Sequence, residues 1–250
     1  MSIYYKLLNS FNFIRKEVYL TYIWMKNDRI SMLKPTTLQF LNDLKQHNER
    51  PWFQNNKESY LDAKKDFEQF IQRLLLELTA LDSDYGKLSV KDCVFRIYRD
   101  IRFSKDKTPY KVHLAAGINK GGKKVHFPGF HVHIEPDNFY LGGGIWRPDK
   151  EALFKIRQEI DYNTDEFRAI IEKSSFKKMF GKLDSNDKLK RPPRGYEKDN
   201  PAIDYLKLKS VIAHCTLEEK DVVNKDLVNK VVGVFKELNP LLKFLETALG

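Results

Sequence analysis

Between Phe95 and Lys111 the chain sets Arg96, Arg99, Arg102, Lys105, Lys107 and Lys111 among aromatic residues, with only Asp100 and Asp106 to balance them. Arginine offers a planar fork of donors that matches phosphate and carboxylate oxygens, and lysine adds a compact point charge. Such a run suits capture of an anion. If residues 92–99 form a strand, alternation sends Cys93, Phe95 and Ile97 to one side and Arg96, Tyr98 and Asp100 to the other. Arg96 then projects from a sheet face and loses little entropy on binding. The competing reading pairs Arg96, Arg99 and Arg102 internally with Asp100, Asp106 or Glu135.

A second constellation follows at His131, His133 and Glu135. On a strand all three point the same way, opposite Phe130, Val132 and Ile134, and alternation adds Lys111 and His113 to the same face. A His-x-His pair with an acid two residues on is half of a metal site. Two histidines are too few ligands, and Arg96 and Lys111 oppose a bound cation, so structural histidines are the expectation and no metal is assigned. General acid or base work needs only one placed imidazole, and His133, with Tyr98, is the catalytic candidate.

Two further motifs carry less. Ser104 and Lys107 have the Ser-x-x-Lys spacing of some acyl-transfer enzymes, but that chemistry needs a helix, and Pro109 disfavours one. Gly142, Gly143 and Gly144 lack the Gly-Lys-Ser/Thr of a phosphate-binding loop. They either bare a sheet face for a ligand flanked by Trp146 and Arg147, or let a helix lie close.

The elements that must position these groups follow from periodicity. Pro35, Thr36 and Thr37 with Gln39 read as a helix start with a capping box, and the helix ends near His47 to Arg50. A longer helix spans about 56–81, its apolar stripe running from Tyr60 through Phe67 and Leu74 to Leu78. Strands are expected at about 92–99, 110–118, 129–135 and 139–146, the last three as an antiparallel meander joined by turn-forming residues. Helices return at Pro148 and after Thr164. A short helix lies near Ala202 to Lys207, and an edge strand at 208–213. A closing helix starts near Lys225, and Pro240 should break or kink it.

Helices, a block of strands, then helices again argue for an α+β fold, an antiparallel sheet flanked by helices in a single domain over 32–250. Residues 1–31 read as an N-terminal extension, with translation starting at Met25 or Met32 as the alternative to a short packed helix. At 250 residues and 42% apolar content the chain can bury a proper core. Its +10 charge is concentrated: nine Lys or Arg against two Asp over 96–124, and nine against three acids over 173–198, leaving the remainder slightly acidic. Clustered charge makes a field that scattered charge cancels. The second stretch reads better as solvated lysine-rich loops. Cys93 and Cys215 have no paired spacing, which points to a reducing, cytoplasmic setting. No stretch has the roughly 20 apolar residues of a membrane span.

These residues also resemble a known family. Trp52-Phe53 with Asn55, Asn56, Lys57 and Tyr60, the run Phe95 to Lys111, Pro128-Gly129-Phe130, Gly142 to Trp146, Leu189-Lys190, Pro193 to Tyr196, and Leu206-Lys207 are similar to the bacterial and fungal domain of unknown function 2461. The resemblance runs from about Thr36 to Leu249 and omits the first 31 residues. Position 131 is more often aromatic in that family, which argues against a metal role for His131. The family implies no assigned activity and no cofactor.

The functional expectation is therefore a phosphorylated or otherwise anionic small molecule held by Arg96, Arg99, Arg102, Lys105, Lys107, Lys111 and Trp146 around His133 and the glycines. A nucleic-acid-binding module with Phe103, Tyr110 and Trp146 as stacking platforms is the alternative, and docking of an acidic protein partner a third.

Overall fold

The computed structural model describes residues 32–123 and 125–250; the expected extension and its alternative start lie outside them. The order of elements is helical, then extended, then helical again. The first layer comprises α1 (Pro35–Gln46), α2 (Arg50–Asn55) and α3 (Lys57–Leu78), followed by a short 3₁₀ turn and α4 (Val90–Cys93). Strands β1 (Leu114–Ile118), β2 (Gly129–Ile134) and β3 (Phe139–Ile145) come next, then α5 (Lys150–Tyr162), α6 (Thr164–Ile171) and α7 (Ser174–Phe180). The chain continues with α8 (Ile203–Leu206), β4 (Val211–Leu217), α9 (Glu219–Val222) and α10 (Leu227–Leu249). The four strands form one antiparallel sheet in the order β1-β2-β3-β4, so the expected meander and α+β architecture hold.

One face of the sheet is the core. Phe130, Val132 and Ile134 on β2 and Leu141 on β3 are buried beneath α10, where the Phe130 and Phe235 rings stack at 4.3 Å. Alternation sends the neighbours of these residues to the opposite face, where, among the described residues, no helix packs on β2 or β3 as α10 does. That asymmetry creates the site.

Several expectations change. Residues 92–99 are not a strand. The Asp92 carboxylate accepts from both the N–H and the hydroxyl of Ser89, 2.9 and 2.6 Å away, and this local box winds 90–93 into α4. Only two isolated bridges, Val94 to Ala116 and Tyr98 to Tyr110, tie the following segment to the β1 side. β1 starts at Leu114, not at 110, because the Tyr110 backbone is bonded by Asn48 and the Lys111 N–H by Ile97. The edge strand falls at 211–217, later than expected, since Arg157 takes the Leu206 and Leu208 carbonyls.

At the start of α1 there is no capping box. The Thr37 hydroxyl instead donates to the buried carboxylate of Asp66 at 2.6 Å, alongside the Lys34 N–H at 2.9 Å, while Gln39 turns to Asp43. Helix α10 runs unbroken through Pro240. Leu238, Leu241, Leu242 and Leu245 are fully buried around the proline, and their packing offsets the roughly 3 kcal/mol that an interior proline costs. The second basic stretch is only partly loop, because Phe176 and Phe180 anchor α7 in the core.

Candidate functional site

The strand register decides what meets on the open face. Ala115 pairs with His133 and Gly117 with His131 between β1 and β2; His131 pairs with Gly142 and His133 with Tyr140 between β2 and β3; Tyr140 pairs with Thr216 and Gly142 with His214 between β3 and β4. Rings consequently form a row across the sheet. The His113 and His133 centroids are 4.3 Å apart, His133 and Tyr140 stack at 4.5 Å, and Tyr140 meets His214 at 6.0 Å. His131 lies 6.1 Å from His133 and 6.2 Å from Phe95.

Beside this row opens a cleft of ≈ 710 Å³, bordered by Phe95, His131, Tyr140, His214 and Trp146, a size typical of small-molecule sites. Both alternatives for the glycines are realised, by alternation along β3. Gly142 and Gly144 floor the cleft, whereas a Cβ on Gly143 would sit 3.0 Å from Leu238 and 3.2 Å from Leu242 of α10.

His133, only 7% exposed, points Nε2 to the Glu135 Oε2 at 2.9 Å, and the Asn138 amide donates to the same oxygen at 3.0 Å. Burial, reinforced by the neighbouring His133, pushes His113 down to about 4, and burial likewise pushes His131 down to about 4, so both are neutral at pH 7. Burial would raise Glu135, but its bonds from His133 and Asn138 outweigh that and hold it below the usual carboxylate range. One ligand atom from each of His113, His133 and Glu135 lies within 4.8 Å of the others, so His113, one residue before β1, stands where the sequence reading puts His131.

The basic run divides. Arg99 is internally paired with Asp106, Thr108 and Ser104. The Thr108 N–H first, and then Arg99, pull Asp106 down to about 2. Arg102 clasps Asp100 through Nε at 2.9 Å and through a terminal nitrogen at 2.7 Å. Lys107 donates to the Ile101 carbonyl at 3.0 Å. Arg96, Lys105 and Lys111 make no ion pair with a carboxylate among the described residues, although Arg96 lies near enough to Asp100 to add to the charge that holds that carboxyl low. Burial, and then the charge of Arg96, holds Lys111 below the usual lysine range, and its Nζ lies 5.6 Å from the Phe95 ring centroid.

Lys111 also acts electrostatically on His113, so the free cations adjoin the imidazole row. Tyr98 packs against Phe53 and Tyr110, turned toward the helical layer. Trp146, 56% exposed, stands at the cleft rim with the Arg147 guanidinium 5.2 Å from its ring centroid.

Tyr140 and His214 were not expected here. Alternation back from Gly142 places Tyr140 on the histidine face, and the same rule on β4 groups Ile212, His214 and Thr216. The period was legible there, but the strand boundaries were not.

Among the described residues, no helix is long and apolar enough to cross a membrane. No curated protein and no solved structure matches the chain. The residues that carried the resemblance, from the tryptophan of α2 through the basic run to the glycines of β3, all fall within positions 36–244, and over that span the chain belongs to the family described as Conserved hypothetical protein (DUF2461).

Proposed function

We propose that the chain binds a small anionic ligand, phosphorylated or carboxylate-bearing, at the basic margin of the open sheet face, with Arg96 and Lys111 as its charge partners. One observation carries the reading: a half-buried lysine lies in the field of an arginine, and neither makes an ion pair with a carboxylate among the described residues, Asp100 acting on Arg96 only at longer range. Two like charges held together in a partly dry setting repel, and an anion between them relieves both. Lys105, exposed and unpartnered, is a further contact at the rim. Arg99, Arg102 and Lys107 serve the loop that presents these groups. Proton transfer by His133, oriented by Glu135, is the chemistry such a ligand would meet if no metal were present. A cytoplasmic setting goes with this reading, supported by two cysteines that are both free thiols.

The test is a melting-temperature screen of the chelator-treated chain against phosphate, sugar phosphates, nucleotides, dicarboxylates and short oligonucleotides. A ligand at 100 times its Kd stabilises by about 2.7 kcal/mol. The expected result is a rise with one class of small anion, lost in Arg96→Ala and in Lys111→Met while both variants keep the unliganded melting temperature. No shift from any anion overturns the reading. So does a shift confined to oligonucleotides, with an affinity falling tenfold or more between 50 and 200 mM salt, since that marks many phosphate contacts and a nucleic-acid interface instead.

A further inference from the structure

We infer that His113, His133 and Glu135 form a binding site for one divalent transition-metal ion of the zinc or cobalt type, at the edge of the open sheet face. The inference goes beyond the anion reading and does not use its charge partners, Arg96 and Lys111, as ligands.

Two imidazoles and one carboxylate make a donor set suited to such ions, and their candidate ligand atoms all lie within 4.8 Å of one another. Tetrahedral donors at zinc-like bond lengths of about 2.1 Å are roughly 3.4 Å apart. Closure around an ion therefore needs side-chain adjustments on the order of 1 Å, within rotamer reach.

The His133 to Glu135 contact is already 2.9 Å, closer than a metal requires. Where Nε2 carries the proton in the metal-free protein, the incoming ion takes its place and the metal-bound ring keeps its single proton on Nδ1. The supporting groups are rigid. His133 is wedged between the His113 ring at 4.3 Å and the Tyr140 ring at 4.5 Å, and Glu135 is held by Asn138 at 3.0 Å. Bonds of that kind orient first ligands in metal sites.

Three protein donors leave the ion positions for water or for a ligand oxygen, the arrangement of reactive rather than structural zinc. The charge of Lys111 weakens the ion's hold, and by the same sign it favours an anion as the fourth ligand.

The experiment uses the full chain, treated with chelator and dialysed, then titrated with Zn²⁺ by calorimetry and with Co²⁺ by visible absorption, with no anionic ligand added. The expected result is one ion per chain, with a Co²⁺ spectrum more intense than that of the aquo ion. Glu135→Gln and His113→Asn should each weaken binding by about 100-fold or more, and Asn138→Ala by about 10- to 100-fold. His131→Asn should change it by less than a few fold, and Arg96→Ala should leave it unmoved.

His133 is too buried to be the sole test, so its replacement by Asn is read only where circular dichroism shows the native fold. Binding equal in wild type and in the His113→Asn/Glu135→Gln pair overturns the site, as does a Co²⁺ spectrum indistinguishable from the aquo ion. Because Arg96 and Lys111 are untouched in the His113→Asn/Glu135→Gln pair, failure here leaves the anion test standing, and the reverse holds as well.

Discussion

The side-chain amide of Asn48 bonds both backbone groups of Tyr110, donating to its carbonyl at 2.9 Å and accepting from its N–H at 3.1 Å. One residue in the corner between α1 and α2 thus does the work of a neighbouring strand, and fixes the point where the basic run turns into β1. The Tyr110 ring, stacked on Phe53 at 3.9 Å and 13°, completes the anchor. Asn48→Ala leaves both groups of a buried residue unbonded and should cost about 2–4 kcal/mol, measured by urea unfolding. Amide exchange over 99–111 should accelerate more than the global change explains, because this anchor is what ties the run to the helical layer.

The two arginines of the basic run should separate cleanly. Arg99→Ala removes the bonds to Asp106 and Thr108 and should lower stability by about 1–3 kcal/mol. Arg96→Ala breaks no such bond, relieves repulsion on Lys111, and should leave the melting temperature level or slightly raised. Equal losses in both would mean that Arg96 is structural.

Glycines two residues apart should differ in kind from the one between them. At Gly144 the φ is +124°, and a Cβ would lie 2.0 Å from the Val211 carbonyl oxygen, a backbone atom that can yield only by breaking β3 from β4. Gly144→Ala should cost about 4 kcal/mol or more and give little soluble protein. Gly143→Ala meets the ends of Leu238 and Leu242 at 3.0 and 3.2 Å and the Gly129 carbonyl oxygen at 3.3 Å, and should cost about 1–3 kcal/mol while keeping the fold. Expression level and chemical denaturation rank the two.

Lys120 bridges Asp82 at 2.8 Å and Glu246 at 2.7 Å, joining the turn after α3 to the end of α10. Its side chain is 23% exposed, so Lys120→Met should cost about 1–3 kcal/mol, below the figure for a fully dry pair. The pH dependence has two limbs. The bond from Lys120, then the Asp84 N–H, holds Asp82 below the usual carboxylate range, so its contribution is present above about pH 4 and is lost as pH falls through the lowered value. Burial opposes the charge of Lys120, but the two carboxylates outweigh it and raise the ammonium. That contribution is complete below about pH 10 and lost as pH rises further. Unfolding free energies across pH should show both limbs flattened in Lys120→Met.

Local order was readable wherever one residue's neighbours along the chain decided it. The apolar stripe of α3, the meander β1-β2-β3 and the shared face of His131, His133 and Glu135 all follow from periods of 3.6 and 2. Where a local hydrogen bond competed with the period, the reading slipped: Ser89 and Asp92 wound 90–93 into a helix, and the strand meant to carry Arg96 became a loosely bridged segment. Packing overruled propensity at Pro240, whose helix persists because the leucines around it are buried.

By itself the sequence determined that an α+β domain would put histidines and a carboxylate on one sheet face beside a dense basic run, because alternation and charge count need no knowledge of distant partners. Only the tertiary structure decided which of those groups meet. The pairing of Ala115 with His133 brings His113 against the His133 ring, and the path of the basic loop commits Arg99 and Arg102 to Asp106 and Asp100, seven and two residues away, while leaving Arg96 and Lys111 without an ion pair among the described residues. The reason is physical: register is settled between segments far apart in the chain, by which burial and which bonds cost least together, and no single segment carries that information.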